Sequence, residues 1–272
     1  MTNNNAKGKG FVLSEFASIF RLCFSSLKQP ELIKRATKDP LWPVLAIAAR
    51  WKLRKAEISQ FEFISRLTQT DTDNIANVYA KLNSHTLLYE HLRKCKKVIG
   101  NLSQDYSEKE TLYTITRIRK PDIVVETGVA QGVSSTFILQ ALEDNGRGQL
   151  YSIDLPPTGR RLADGMAYTM PSGKQSGWMI PNSLRHRWHL ILGETSKELL
   201  PLLQQLGEID IFLHDSLHTF ENMRFEYETA WPFIAKDGLL LSHDVTHPYL
   251  EFCRKVHSAP VNYRRLGGVL KR

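Results

Sequence analysis

The sequence predicts an α/β protein with a mostly parallel sheet of seven strands. From Ser107 onward, short apolar segments alternate with segments at helical spacing, the pattern of a parallel sheet covered by helices. Within residues 121–135, an apolar strand runs into a turn containing Gly128 and Gly132 and then into a helix. Two short segments joined at Gly267-Gly268 close the chain, so we expect a hairpin that makes the last strand antiparallel.

Residues 1–10 are polar and lack an apolar signal core, so a disordered tail is predicted there. Residues 11–100 are expected to form an N-terminal helical region, with helices over 11–29, 30–40 and 74–99. The most apolar window, residues 41–49, is far shorter than the ~20 residues that span a bilayer. A basic cluster follows it, which favours a helix docked on the next domain over a helix lying in a membrane surface.

The second domain, residues 101–272, contains the predicted sheet and its helices. The expected helices cover 108–118, 134–142, 196–206, 219–234 and 249–256; the expected strands cover 123–125, 149–153, 189–192, 209–214, 238–242, 262–266 and 269–271. The long irregular segment 155–182 lies between the second and third strands. Long loops in compact domains are usually functional or disordered, so we interpret this segment as a lid that governs specificity.

Charge and cysteine content limit the classes of function. The formal net charge is +8, and residues 1–100 hold 17 Lys and Arg against 8 Asp and Glu. Residues 101–272 hold 19 against 20, which argues against a nucleic-acid substrate for the sheet domain. The basic excess leaves open an anionic partner or weak membrane contact for the N-terminal region, and a homo-oligomer is also open. Three widely spaced cysteines imply no disulfide framework and fit a cytoplasmic location.

The strand–turn–helix of residues 121–135 carries the clearest functional signal. Glu126 ends the apolar strand, and the glycine spacing is Gly-x-x-x-Gly rather than the Gly-x-Gly-x-x-Gly that cradles a pyrophosphate. A carboxylate at this point would repel a diphosphate but would attract a cationic amino-acid group. Ser134 and Ser135 open the helix, whose first N–H groups are free to bind a ligand.

Glu126-x-Gly128-x-x-x-Gly132, with Asp154 closing the next strand, resembles the first two motifs of class I S-adenosylmethionine-dependent methyltransferases. Within them, the sequence is similar to a bacterial branch in which Asp-x-x-His follows the fourth strand. The resemblance covers roughly residues 106–272 and implies a Rossmann-like methyltransferase fold. It further implies that Glu126 and the glycines hold the methionyl end of S-adenosylmethionine, Asp154 its ribose, and Glu194 its adenine. From the residues alone, Asp154 and Glu194 could equally cap turns or helices.

Polar residues at the ends of strands four and five predict the acceptor side of the cleft. Asp215 and His218 follow strand four, and His243-Asp244 ends strand five, so two acids and two imidazoles are expected to converge. In one interpretation Asp215 and Asp244 hold a divalent cation such as Mg²⁺. Val245 departs from related metal-using enzymes, which place Asn or an acid there. In another, His218 or Asp215 is a metal-free general base; a purely structural polar network is the third.

These features predict an S-adenosylmethionine-dependent methyltransferase that methylates a hydroxyl oxygen of a small-molecule or sugar-like acceptor. Three alternatives remain at this stage: a methyltransferase-like binding or assembly module without turnover, a dinucleotide-dependent oxidoreductase, and a hydroxylase on the same scaffold. The glycine spacing and the terminal hairpin argue against the oxidoreductase.

Overall fold

The computed structural model describes residues 42–99, 105–156 and 170–272. The predicted tail, the helices over 11–29 and 30–40, and residues 157–169 of the predicted lid lie outside the described residues. In the described part, no helix has both the length and the apolar character needed to cross a membrane.

A seven-stranded sheet in the order β3-β2-β1-β4-β5-β7-β6 forms the centre of the fold. The first five strands pair in parallel, β7 runs antiparallel to β5, and β6 antiparallel to β7. The predicted fold class is therefore confirmed. The strands are β1 Ile123–Thr127, β2 Gln149–Asp154, β3 Trp188–Leu192, β4 Ile209–His214, β5 Ile234–Ser242, β6 Val261–Tyr263 and β7 Leu266–Leu270.

Nine α-helices are present among the described residues. They are α1 Trp42–Ala56, α2 Gln60–Thr68, α3 Thr72–Asn83, α4 Thr86–Ile99, α5 Ser107–Arg119, α6 Val133–Asn145, α7 Thr195–Leu206, α8 Phe220–Ala230 and α9 His247–Lys255. Short 3₁₀ helices cover Asn182–Arg187 and Trp231–Phe233.

Both faces of the sheet are buried, because successive side chains of a strand point to opposite faces. In β1, Val124 packs into a core with α2, α5 and α6, whereas Val125 packs into a second core with α7, α8 and α9. Both valines are fully buried. The continuous apolar strands predicted from the sequence thus contribute side chains to two hydrophobic cores, one on each face of the sheet.

Helices that precede residue 100 contribute directly to these cores. Phe63 and Ile64 of α2 are fully buried beside the sheet, and Ala49 and Leu53 of α1 join the core that contains α9. The helix expected over the apolar window 41–49 is therefore present and docked. The proposed boundary between residues 100 and 101 stays a prediction.

Two boundaries in the helices differ from the sequence-based expectation. The single helix predicted over 74–99 is wrong: α3 ends at Asn83, where the Ser84 hydroxyl donates to the Lys81 carbonyl at 2.7 Å, and α4 begins at Thr86. Between them, His85 pairs with Asp144 at 2.7 Å and fixes the corner. The helix predicted over 219–234 ends earlier because Pro232 starts a new 3₁₀ turn, and β5 begins at Ile234.

The terminal hairpin exists, but its turn does not lie at Gly267-Gly268. The turn is at Arg264-Arg265, where Arg264 adopts a positive φ of 53°, and both glycines belong to β7. Close packing explains why glycine is needed in this strand. A Cβ on Gly267 would lie 2.7 Å from the Tyr249 ring, and one on Gly268 would lie 2.5 Å from Leu67.

Candidate active site

The carboxyl ends of β1, β2, β4 and β5 meet at one edge of the sheet. Strand order reverses between β1 and β4, since the chain moves outward to β2 and β3 before it returns to β4. In open α/β sheets, ligands bind in the crevice outside the strands at such a switch point. Every site residue predicted from the sequence lies at this edge or in the turns that leave it.

Glu126 is fully buried near the end of β1. Its Oε1 accepts hydrogen bonds from the hydroxyls of Ser135 at 2.5 Å and Ser152 at 2.6 Å, whereas Oε2 has no hydrogen-bond partner. Burial raises the pKa of Glu126 to about 7, although the two serine hydroxyls oppose this rise. A buried carboxylate with one unbonded oxygen is a group to which a cationic donor can bind.

Asp154 ends β2 and is also buried. Its Oδ2 accepts from the backbone N–H of Ala130 at 3.2 Å, which ties the end of β2 to the turn after β1. Ala130 has a positive φ of 47°, so this turn is held in a conformation that few residues other than glycine adopt. The contact places the second predicted cofactor acid beside the glycine turn.

The two motif glycines allow other backbone segments to approach closely. Gly128 has a φ of 84°, and a Cβ on it would lie 2.1 Å from the Asp215 carbonyl oxygen. Gly132 has a φ of 87°, and its Cβ would lie 2.7 Å from Gly177 Cα. The described end of the predicted lid is thereby anchored to the turn, with Gly177 N donating to Ala130 O at 2.9 Å. Glycine is therefore needed at both positions for packing within the protein, in addition to the space that the cofactor is predicted to require.

The remaining predicted cofactor residues differ in position. Ser134 and Ser135 lie in the first turn of α6 and are buried, and the Ser135 hydroxyl is used by Glu126. Glu194 precedes α7 and makes no capping hydrogen bond with its side chain. It is largely exposed and pairs with Lys197 at 3.0 Å. Its assignment to the adenine amino group stays a prediction.

At the ends of β4 and β5, two acids and two imidazoles converge as the sequence predicts. His243 Nδ1 lies 2.9 Å from Asp215 Oδ1 and 3.4 Å from Asp244 Oδ2. His218 Nε2 lies 3.7 Å from one oxygen of each of the same carboxylates. Asp215, His218 and His243 offer three ligand atoms that all lie within 4.8 Å of one another.

Two further charged residues of this cluster were missed in the sequence. Glu108, in the first turn of α5, reaches His243 Nε2 at 3.1 Å and accepts from the Arg265 backbone N–H at 3.1 Å. The Arg265 guanidinium bridges Glu108 at 3.5 Å and Asp244 at 2.9 Å. Glu108 is buried although it lies in a helix that reads as amphipathic. A buried acid in a helix first turn is a weak signal, and no local pattern links it to residues 243 or 265.

The charges of the cluster set its protonation. Burial opposes a charge on the His243 ring, but the negative charge of Asp215, together with the carboxylates of Asp244 and Glu108, outweighs burial and raises the His243 pKa to about 11. For His218, burial and the neighbouring His214 lower the pKa despite the two carboxylates. The two histidines therefore differ: one is held as a cation and the other is held neutral near pH 7.

A second buried network supports the loop that carries Asp215 and His218. Glu226 of α8 is fully buried and accepts hydrogen bonds from four side chains that belong to β1, β4, the loop and α8. The donors are Thr127 at 2.5 Å, His214 Nδ1 at 2.6 Å, Ser216 at 2.6 Å and Asn222 at 2.9 Å. The His214 ring also packs edge-on against His218 with centroids 5.3 Å apart. These contacts hold the loop that carries Asp215 and His218 in place.

The cluster fits a divalent cation by its donor types. Carboxylate oxygens and imidazole nitrogens are both metal ligands, and Asp215, one of the two predicted ligands, lies within the converging set. Asp244, the other predicted ligand, faces the same histidines but has its Oδ1 engaged by Arg265. The pairing of Asp215 with Asp244 on one ion stays a prediction.

Comparison with known families agrees with this geometry. Residues 125–245, which run from β1 through β5 to Val245, match a family model described as "Methyltransferase domain". The matched segment contains Glu126, both motif glycines and the Asp215–Asp244 cluster. No curated protein sequence matches the chain.

Several solved structures resemble the fold at low identity. SAH-bound Podospora anserina methyltransferase PaMTH1 is 15% identical with a TM-score of 0.41; the match covers 57% of this chain and 60% of that one. An SAH complex of an O-methyltransferase from Bacillus cereus is 13% identical with a TM-score of 0.40, covering 78% and 96%. MycE methyltransferase of the mycinamycin biosynthetic pathway, bound to Mg and SAH, is 16% identical with a TM-score of 0.42, covering 61% and 49%.

The matched part spans less than two thirds of the Podospora protein and of MycE. The family model covers somewhat less than half of the chain, but it spans the strands and turns on which the motifs lie. The match agrees with the predicted resemblance to methyltransferases: residues 125–245, which match a methyltransferase domain, carry the strands and turns of the predicted Rossmann-like sheet.

Proposed function

We propose that this protein transfers the methyl group of S-adenosylmethionine to a hydroxyl oxygen of a small-molecule acceptor, with sugar-like acceptors as the first class to examine. One observation carries the proposal. The acids predicted for the cofactor and the cluster predicted for the acceptor lie at the same sheet edge, in turns that touch through Gly128 and Asp215. A methyl donor and its acceptor must meet in this way.

Glu126 and Asp154 would hold the cofactor. Glu126 Oε2 is buried without a hydrogen bond and would accept from the cofactor's ammonium group, directly or through one water. Asp154 would accept from the ribose hydroxyls, since a carboxylate can bind two donors at once. Glu194, at the start of α7, would face the adenine. The sulfonium group of the bound cofactor supplies the methyl and its own leaving group.

The acceptor half would position the hydroxyl and take up its proton. The His218 ring is largely buried and its pKa is lowered, so its imidazole is neutral near pH 7 and can accept a proton. After it does so, the carboxylates of Asp215 and Asp244, each 3.7 Å from Nε2, would stabilise the resulting cation. With a divalent cation bound by Asp215 and Asp244, the acceptor hydroxyl would also ionise more readily.

The cysteines and the charge balance support a cytoplasmic setting and a small acceptor. The described cysteines, Cys95 and Cys253, are free thiols, which suits a reducing compartment. The nearly neutral balance of residues 101–272 argues against a nucleic acid as the acceptor.

Calorimetry with S-adenosylhomocysteine tests the cofactor half. Glu126→Ala and Asp154→Ala should each weaken binding at least tenfold while the fold is retained, because each removes a proposed contact to a charged or hydrogen-bonding group of the ligand. Glu208→Ala is the matched control, since this exposed acid precedes β4 at the opposite end of the sheet and should leave binding unchanged. Binding that survives both site substitutions would contradict the assignment.

Turnover tests the acceptor half. The wild-type protein should form S-adenosylhomocysteine with at least one member of a panel of hydroxylated small molecules, and His218→Asn should abolish that turnover without loss of cofactor binding. Cofactor binding without any turnover would instead favour a binding module. A specific fluorescence signal with NADH, or iron-dependent hydroxylation, would favour the two enzymatic alternatives.

A further inference from the structure

We propose that Asp215, His218 and His243 form a metal site that takes a transition ion such as Zn²⁺ or Co²⁺ in preference to Mg²⁺. The proposal concerns the site of the proposed methyl transfer and rests on that function only for the role of the ion. With the ion bound, His218 is a ligand rather than the base, and the ion would take over the activation of the acceptor hydroxyl. The ligand set replaces Asp244 of the pair expected from the sequence by His243.

The three ligand atoms already have nearly the spacing that an ion requires. Metal–ligand distances of about 2.0–2.2 Å place neighbouring ligands of a tetrahedral Zn²⁺ about 3.4 Å apart. Asp215 Oδ1 lies 2.9 Å from His243 Nδ1 and 3.7 Å from His218 Nε2, on either side of that value. All three atoms lie within 4.8 Å of one another, so rotations of the side chains are enough to close the set.

His243 has the surroundings of a metal-binding histidine. The residue is 9% exposed, and its Nδ1 is buried without a hydrogen bond although Asp215 lies close to it. Its other nitrogen, Nε2, faces the Glu108 carboxylate at 3.1 Å. A carboxylate on the second nitrogen is the usual partner of a histidine that binds metal through the first, because it fixes the orientation of the ring and makes the ligand more basic.

Glu108 is itself held in place for this task. Its Oε1 accepts from the Arg265 backbone N–H at 3.1 Å, and its Oε2 lies 3.5 Å from the Arg265 guanidinium. Arg265 also pairs with Asp244 Oδ1 at 2.9 Å, which draws that oxygen away from the histidines. Because Arg265 pairs with both Glu108 and Asp244, Asp215 is left as the carboxylate closest to His243 Nδ1.

Two imidazoles and one carboxylate select the class of ion. Mg²⁺ prefers oxygen ligands in near-octahedral geometry, whereas imidazole suits Zn²⁺, Co²⁺ and related ions. Three protein ligands also leave a position for an acceptor oxygen or a water.

Cobalt titration of the metal-stripped full-length protein tests the site directly. One equivalent of Co²⁺ should produce visible d–d absorption typical of four- or five-coordinate nitrogen and oxygen ligation. Zn²⁺ should abolish the absorption at equimolar amounts, and Mg²⁺ should not abolish it even in large excess. No absorption at saturating Co²⁺, or displacement of Co²⁺ by stoichiometric Mg²⁺, would overturn the proposal.

Substitutions assign the ligands. His243→Asn and His218→Asn should each remove the absorption, and Glu108→Gln, which keeps the shape but not the charge, should weaken Co²⁺ binding about tenfold or more. His189→Asn is the matched control, because His189 stacks on Tyr151 at the surface of β3 and contacts Gln149. Its spectrum should equal that of the wild type.

Circular dichroism identifies any variant that does not fold, and Glu108→Gln then serves as the second test of His243. A His243→Asn protein that folds and keeps the absorption would overturn the assignment, as would an unchanged Co²⁺ affinity in Glu108→Gln. Calorimetry with S-adenosylhomocysteine on the same preparations separates the two proposals: cofactor binding without cobalt absorption refutes the metal site alone, and the reverse result refutes the methyltransferase site.

Discussion

Glu126→Gln should make the cofactor-free protein more stable at alkaline pH than the wild type. Burial raises the pKa of Glu126 from 4.5 to about 7 in the folded protein. In the unfolded chain the same group ionises near its ordinary value. Between these two values the folded state holds more protons than the unfolded state, so stability falls as pH rises through this window.

The size of the effect follows from the shift. One unit of pKa corresponds to about 1.4 kcal/mol, so the ionised Glu126 costs the folded wild type roughly 3 kcal/mol above pH 7. The cost disappears below pH 4.5, the ordinary pKa of the group. The glutamine side chain of the variant cannot ionise, and its amide oxygen can still accept from Ser135 and Ser152, which donate to the carboxylate in the wild type.

Urea unfolding of both proteins from pH 5 to pH 8.5, without cofactor, measures the effect. The difference in unfolding free energy should shift by roughly 3 kcal/mol in favour of the glutamine variant across that range. Glu208→Gln, at an exposed position, should show a constant difference. A constant difference for Glu126→Gln would show that this carboxylate has an ordinary pKa, so its charge would already be stabilised in the cofactor-free protein.

Three further substitutions test the packing of the site by urea unfolding and acid titration. Gly128→Ala should destabilise the protein by about 2 kcal/mol or more, since its Cβ would meet the Asp215 carbonyl at 2.1 Å. The control Gly146→Ala, at a positive φ but with open space around it, should cost only about 1 kcal/mol. Equal costs for the two variants would contradict the contact. Glu226→Ala should cost roughly 3 kcal/mol or more because four donors, two of them buried, lose their acceptor, and a cost under about 1 kcal/mol would contradict the network. Burial alone would raise the pKa of Glu108, but the hydrogen bond and charge of His243 outweigh it and lower that pKa to about 2. Wild-type stability should therefore fall from about pH 4.5 towards pH 2, and Glu108→Gln should lose less there; parallel acid curves would refute this.

The sheet was predictable because its signals are local. Val124 and Val125 lie in a continuous apolar strand, and such strands bounded by turn residues identify a buried parallel sheet without knowledge of their partners. The glycine turn was predictable for the same reason. Positive φ at Gly128 and Gly132 is a property of the turn itself.

The features that the sequence did not predict depend on contacts between residues that are distant in the sequence. The break between α3 and α4 is fixed by the pairing of His85 with Asp144, some sixty positions later. The hairpin turn was misplaced because a Gly-Gly pair is a strong turn signal, yet here both glycines fit against Tyr249 and Leu67. Glu108 joins a cluster whose other members lie more than one hundred residues later in the chain.

The contact between Gly128 and Asp215 links the two halves of the site mechanically. Asp215 N donates to Thr127 O at 2.8 Å, so the strand pairing of β1 and β4 continues one residue beyond β4. The Asp215 carbonyl then lies against the face of Gly128, where any side chain would collide with it. A ligand that orders the turn at Gly128 must therefore also order the loop that carries Asp215 and His218. Glu226 fixes the other side of that loop through Ser216 and Asn222, so the loop cannot move away without breaking partly buried hydrogen bonds. Cofactor binding and the geometry of the acceptor cluster should consequently be coupled even though no side chain of the cluster needs to touch the cofactor's amino-acid end.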